Sequence, residues 1–197
     1  MNKIIPLLSV FCLLYSCTGS DKSYILSITE QHKQYAASFT DTTQSPLDSA
    51  EQITFKGVAH FMPDKNYKVT AKVLWLPYTG IVELPHSRGD FRPYFQAAQL
   101  NFTIHGNDYS LIGYQNEKMR TQRILFVPFA DVTNGNETYG GGRYMDISYM
   151  PNASETVMDF NLSYYPYCAY SHRYSCPIVP KENALDIAIR AGERNID

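Results

Sequence analysis

The sequence predicts a mainly β, α+β domain: an antiparallel β-sandwich or open barrel with an N-terminal helix and long structured loops. Three observations lead there. From Gln52 onward the chain breaks into short runs rich in Val, Ile, Thr, Phe and Tyr, separated by Gly, Pro, Asn and Asp. Upstream, Ile25, Ile28, His32, Tyr35 and Phe39 recur at spacings of three and four, which is one face of an amphipathic helix. Two stretches, Phe126 to Arg143 and Asp159 to Pro177, concentrate Gly, Asn and Tyr with two cysteines. Many strands at short spacing with few helices between them favour antiparallel pairing over a parallel sheet.

Taken in order, residues 1–16 carry a single cation, Lys3, and an apolar run from Ile4 to Tyr15, the plan of a signal peptide. The run is shorter than the roughly 20 residues of a membrane-spanning helix. Leu14-Tyr15-Ser16-Cys17 resembles the bacterial lipobox, which makes Cys17 the expected lipidation site and the membrane a partner through that anchor. The expected location is the cell envelope, and Thr18 after the cysteine points to the outer membrane. Residues 17–22 read as a tether and 23–197 as one domain. Removing the leader leaves 181 residues, enough for one substantial core.

Ser23 is the expected N-cap of the first helix. In the following DTTQSPLD, Ser45 can cap a short second helix, with Pro46 at its first position and Asp48 returning the cap. Strands are expected over 53–61, 67–76, 81–84, 94–104, 109–115, 124–129, 144–149, 156–161 and 185–190. Turns fall at Pro63 to Asn66, at Gly106-Asn107-Asp108 and at Pro151-Asn152, the second of these being the clearest hairpin signal.

The formal net charge is −2 and there is no basic stripe, so nothing favours nucleic acid or anionic headgroups as partners. Sixteen tyrosines stand against one tryptophan. Tyrosine suits half-buried strand faces, and also surfaces that contact carbohydrate or protein.

The apolar run LFVPF reads as a buried strand that delivers Asp131 at its end. The VTNGNETYGGGRY that follows cannot be a regular element. It lacks both the phosphate-loop and the dinucleotide fingerprints. Asp131, Thr133, Asn134 and Glu137 can hold such a loop by bonding its backbone. In the second stretch, Cys168 and Cys176 are the only thiols beyond Cys17 in the mature chain. Export makes a disulfide between them the expectation. The alternatives are a zinc site built on Cys168, His172 and Cys176, or a reactive thiol or pair of buried thiols. Apart from that zinc alternative, no cofactor is expected.

These stretches resemble the family called domain of unknown function 1684. The resemblance rests on FVPFADVTNGNETYGGGRYMD from Phe126, on DFNLSYYPYCAYSHRYSCPIVPKENALDIAIRAGE from Asp159, and on FKGVAHFMPDKNYKV upstream. It implies a shared fold and a shared site without a reaction. The expectation is therefore a lipid-anchored envelope protein that binds a small molecule or glycan in a pocket built from the two stretches. Its expected lining is Tyr139, Arg143, Asp159, Asn161 and Tyr164, with Arg143 clamping an anion. One alternative is a hydrolase using Asp131, Glu137 or Asp159 as general base, with or without metal. Another is an assembly component that presents these stretches to a protein partner.

Overall fold

The computed structural model describes residues 18–78 and 80–196. Residues 1–16, expected to be a signal peptide, and Cys17, the expected lipidation site, lie outside the described residues. Strand β4 (Phe91–Ile104) is the longest, and the sheet is organised around it. Its C-terminal half pairs with β2 (Lys68–Trp75) on one side and β5 (Asn107–Gln115) on the other. Its N-terminal half takes β3 (Ile81–Pro85) as a further partner. A register shift between Gln96 and Ala98 marks the change. Bulges of this kind bend and twist a strand.

Strands β6 (Ile124–Phe129), β7 (Arg143–Ser148) and β8 (Glu155–Asp159) complete a seven-stranded sheet of order β7-β6-β5-β4-β2-β8, with β3 beside β4. All pairings are antiparallel, and the sheet curls into a nearly closed barrel. A separate two-stranded ribbon joins β1 (Ala59–His60) to β9 (Glu193–Arg194).

The β4–β5 hairpin turns through His105 and Gly106, at φ 50° and 80°. Positive φ at both central residues is the two-residue turn whose twist matches the strands. Strand β6 reads as a continuous apolar run because both of its faces are covered. Leu125, Val127 and Phe129 point into the main core with Leu100, Leu111, Ile147 and Met158. Phe126 points the other way, into a second cluster with Tyr94, Tyr114, Tyr144, Leu84 and Cys176. Each fully buried aliphatic side chain in the main core stabilises by about 2 kcal/mol. β5 and β6 share only the pair Tyr114 and Phe126. The buried Asn183 side chain spans them, accepting from Ile112 N–H at 2.7 Å and donating to the Ile112 and Pro128 carbonyls.

The first helix, α1, runs Thr18–Ser38, so residues 18–22, read as a tether, are helical, and Ser23 lies inside the helix rather than capping it. Ile28 is buried on its packed face, and Phe39, just past its end, is buried too. The second helix, α2 (Ser49–Thr54), starts later than expected: Asp48 is its N-cap and Glu51 closes the capping box. Ser45 instead donates to the Phe39 carbonyl at 2.6 Å and accepts from Leu47 N–H. Helix α3 (Glu117–Gln122), capped by Asn116, was not anticipated. Of the strand expected over 53–61 only β1 forms. The strand expected over 156–161 ends at Asp159, whose carboxylate caps a 3-10 turn, Phe160–Leu162. No strand forms over 185–190.

Candidate functional site

The glycine-rich loop is closed from within. Asp131 accepts from the Thr133 N–H and hydroxyl at 2.9 and 2.6 Å and from Ile189 N–H. Its other oxygen meets Arg143 Nη2 at 2.7 Å, and both side chains are fully buried. Arg143 also donates to the Ile189, Ala191 and Glu193 carbonyls. The expected anion clamp thus closes on the chain's own carboxylate and on the C-terminal segment. Its neighbour Glu137 forms a two-pronged pair with Arg190 at 2.8 and 2.9 Å, and Arg190 holds the Glu137 carboxyl below its ordinary range.

Asp159 and Asn161 build a second internal knot. Tyr24 donates its hydroxyl to Asp159 at 2.9 Å. The buried Asn161 amide donates to the Asp64 carbonyl and accepts from Asp64 N–H at 2.8 Å. His32 donates to the Asn161 carbonyl at 2.6 Å and stacks on His60, with ring centroids 3.8 Å apart. Burial, reinforced by the neighbouring His32, pushes the His60 imidazole down to about 3. These contacts dock α1 on the barrel. The three candidate bases are each engaged by a different side chain, Asp131 by Arg143, Glu137 by Arg190 and Asp159 by Tyr24.

Next to His60 in the ribbon lies Glu193, fully buried. It accepts from Tyr165 N–H at 2.8 Å through one oxygen, while the other has no partner. Burial pushes its carboxyl up to about 8, against the lowering effects of that N–H and of Arg143. Sequence reading passed over Glu193 because a glutamate near the end of a chain carries no local sign of burial.

The two thiols are free, which corrects the expected disulfide. Cys168, in a 3-10 turn (Tyr167–Ala169), sends its N–H to Cys176 Sγ at 3.2 Å. The neighbouring Cys176 side chain is the largest influence on the Cys168 thiol and draws it below its ordinary value. Cys176 moves upward, through the same neighbouring thiol and through burial. The Cys176 sulfur is held without oxidation, by the Cys168 N–H. His172 is exposed. Among the described residues no group of three or more His, Cys, Asp or Glu is placed to hold a metal ion, so Cys168, His172 and Cys176 do not form the zinc alternative.

An open aromatic cleft of about 520 Å³ lies over the second cluster; the cysteine stretch lines it, while the glycine-rich stretch contributes only Phe126. Tyr144 and Asp146 come from β7, and Tyr164, Pro166, Tyr167 and Cys176 from the cysteine stretch. Tyr35 of α1, Tyr94 of β4, Met119 of α3 and Phe126 of β6 complete it. The rings brace one another: Tyr144 stands edge-on to Phe126 at 4.8 Å and to Tyr164 at 6.0 Å. Tyr144 donates to the Pro177 carbonyl and Tyr164 to Asp146 at 2.8 Å. The Asp146 carboxylate keeps an exposed edge. The aromatic floor beneath removes enough water to raise its pKa, outweighing the Tyr164 hydroxyl. The buried Tyr35 hydroxyl has no hydrogen-bond partner among the described residues.

A larger, shallower hollow of about 900 Å³ lies beside the start of α1. Its Asp21 and Lys65 pair with each other at 2.7 Å, and Arg190 is engaged by Glu137, which leaves few groups free to direct a ligand. Of the expected lining, then, Tyr164 faces the cleft, Tyr139 sits by the thiols, and Arg143, Asp159 and Asn161 are internal struts. Asp146 and Tyr144 were missed, although an acidic residue two positions beyond a tyrosine on one strand places both on one face.

A family profile described as "Protein of unknown function (DUF1684)" matches residues 53–194. The chain is also similar to an uncharacterized protein of Haloarcula marismortui solved in solution by NMR. The two are 33% identical with a TM-score of 0.67, over 89% of this chain and 96% of that one. No curated protein matches.

Proposed function

For a chain that belongs to the DUF1684 family, proteins of unknown function, we propose a binding role: a small, flat organic cation held in the aromatic cleft of a protein tethered to the cell envelope through Cys17. One observation carries the binding half. The cleft is walled by six aromatic rings and has Asp146 as its one charged residue, with no Lys, Arg or His in its lining. Ring faces and a desolvated carboxylate attract an ammonium group, while the aromatic floor takes up flat apolar surface. The hydroxyls of Tyr144 and Tyr164 are committed to Pro177 and Asp146, so these two rings offer a ligand their faces more than their hydroxyls.

The test is a calorimetric titration with benzyltrimethylammonium, alongside the melting temperature. Expected are saturable binding and a rise in Tm, with affinity reduced about tenfold in Asp146→Asn. An equal affinity in Asp146→Asn would remove the cation from the proposal. Silence in both proteins at millimolar probe would remove the cleft as a cation site. The hydrolase reading gains no support, since its three carboxylates are engaged separately.

A further inference from the structure

We infer that the stacked His32 and His60 make α1 an acid-released latch: a proton on both rings parts the helix from the barrel and draws Tyr35 out of the cleft wall. The release itself does not rest on what the cleft binds. The two rings lie face to face, with centroids 3.8 Å apart and planes 9° from parallel, one on α1 and the other on the β1–β9 ribbon. Among the described residues neither ring forms an ion pair. Neutral rings stack well at that distance, and one charged ring over a neutral one is tolerated. Two charged rings there are like charges in contact, half-buried and weakly screened.

His32 takes the first proton. Its Nε2 already donates to the Asn161 carbonyl at 2.6 Å, a bond that the charged ring keeps, and the Asp159 carboxylate favours the charge against the effect of burial. His60 has no such support. Burial, and then His32, hold its proton off until about pH 3 while the helix stays docked. The other titratable side chains around the pair offer His60 no counter-charge. Burial keeps the Tyr24 and Tyr35 hydroxyls of α1 neutral. Asp159 is turned to Tyr24 and Asn161, and Asp64 caps the Lys65–Tyr67 3-10 turn through Asn66 N–H. Glu193, across the ribbon, is raised to about 8 and is neutral in acid as well. In a released helix His60 meets water and takes up a proton near its ordinary 6.5. Docking therefore keeps its full advantage above pH 6.5, and from there down to about 3 the ratio of docked to released helix falls by up to about tenfold per pH unit.

The fold lets α1 leave by itself. Neither hydrophobic cluster contains a residue of α1. Past its end, Phe39 is fully buried, stacked on Phe55 at 5.1 Å and edge-on to Tyr170 at 4.8 Å, which fixes the point about which the helix swings. Elements outside the core open locally without global unfolding. Tyr35, between His32 and Phe39, goes with the helix.

The experiment follows hydrogen exchange of the native chain by peptide mass from pH 7.5 to 4, with labelling times scaled to the intrinsic exchange rate at each pH. Peptides covering 24–38 should be protected at pH 7.5 and lose at least about tenfold of that protection by pH 4.5, while those of β4, β5 and β6 keep theirs. His60→Phe, which keeps a flat ring on His32 but takes no proton, should hold α1 protection level across the range. His60→Gln, smaller and also uncharged, covers the case in which the larger ring disturbs packing: whatever its protection at pH 7.5, acid should not change it. An acid loss undiminished in both variants would assign the release to the bond between Tyr24 and Asp159 and overturn the inference. So would an α1 that is unprotected at pH 7.5, an α1 that stays protected to pH 4, or protection lost from α1 and the barrel strands together.

Discussion

At the scale of single residues, the interior of this protein buries Asp131, Arg143 and Glu193. Arg143 illustrates why sequence misdirects there. A guanidinium beside glycines and carboxylates recognises a carboxylate in the same geometry whether that carboxylate belongs to a ligand or to Asp131. Only the return of residues 189–193 past the loop decides between them. Glu193 gives the testable case. Its carboxyl sits at about 8 in the fold against an ordinary 4.5, so across that window the folded chain holds a proton that the unfolded chain has released. Its favourable contribution is complete below the lower value and gone above the upper one. His60, pushed down to about 3, works in the opposite sense between 3 and its ordinary 6.5. Cys168, drawn below its ordinary value, opposes Glu193 in the alkaline part of the range, so the Glu193 share is read as a difference between two proteins. From pH 6.5 to 8.5 the unfolding free energy of the parent chain should fall relative to that of Glu193→Gln, which retains an acceptor for Tyr165 N–H, by up to about 1.4 kcal/mol per pH unit; an identical profile in the two proteins would mean that Glu193 is already ionised.

At the scale of elements, legibility followed how local the deciding interaction is. β6 was readable to its ends because a continuous apolar run needs cover on both faces, and the hairpin at Gly106 because turn chemistry is local, although the turn falls on His105 and Gly106, with Asn107 and Asp108 already in β5. α3 was missed because its six residues are polar apart from Met119 and its stability comes from the Asn116 cap and the cover it lends the second cluster. Residues 185–190 read as a strand because Leu185, Ile187 and Ile189 alternate, yet their backbone is claimed one group at a time by Ala130, Val132, Asp131 and Arg143. The same return segment passes through Gly192, at φ 75°. A Cβ there would lie 2.6 Å from the Phe160 carbonyl and 2.7 Å from that of Ser163. Gly106 has a similar φ of 80° with no atom within 4 Å of the added carbon. Gly106→Ala should thus cost about 1 kcal/mol, the conformational penalty alone, and Gly192→Ala at least about 3 kcal/mol. Equal losses in thermal or denaturant unfolding would show that the return segment yields freely.

At the scale of the whole molecule, the sheet divides the labour: one face holds the core, and the other holds the cleft and the thiols. The sequence located both special stretches but could not say that Tyr35, Tyr94 and Tyr144, far apart along the chain, share one wall, since that follows from the curl of the sheet. This arrangement also bears on the tether. α1 begins at Thr18 and supplies Tyr35 to the cleft, a rise of about 26 Å at 1.5 Å per residue. An acylated Cys17 would therefore hold the cleft within a few nanometres of the bilayer, where amphiphilic cations concentrate. If that tether exists, the native N-terminal peptide begins at Cys17 with the mass of a diacylglycerol added, and the protein sediments with the outer membrane. Cys17→Ser should then move to the soluble fraction while keeping its melting temperature and its affinity for benzyltrimethylammonium, because the substitution leaves every residue of the cleft and of both clusters as it is. An unmodified N-terminus on a soluble protein would end the tether proposal and leave the cleft proposal standing. Loss of cation affinity in Cys17→Ser would tie the two together in a way that the position of the cleft does not require.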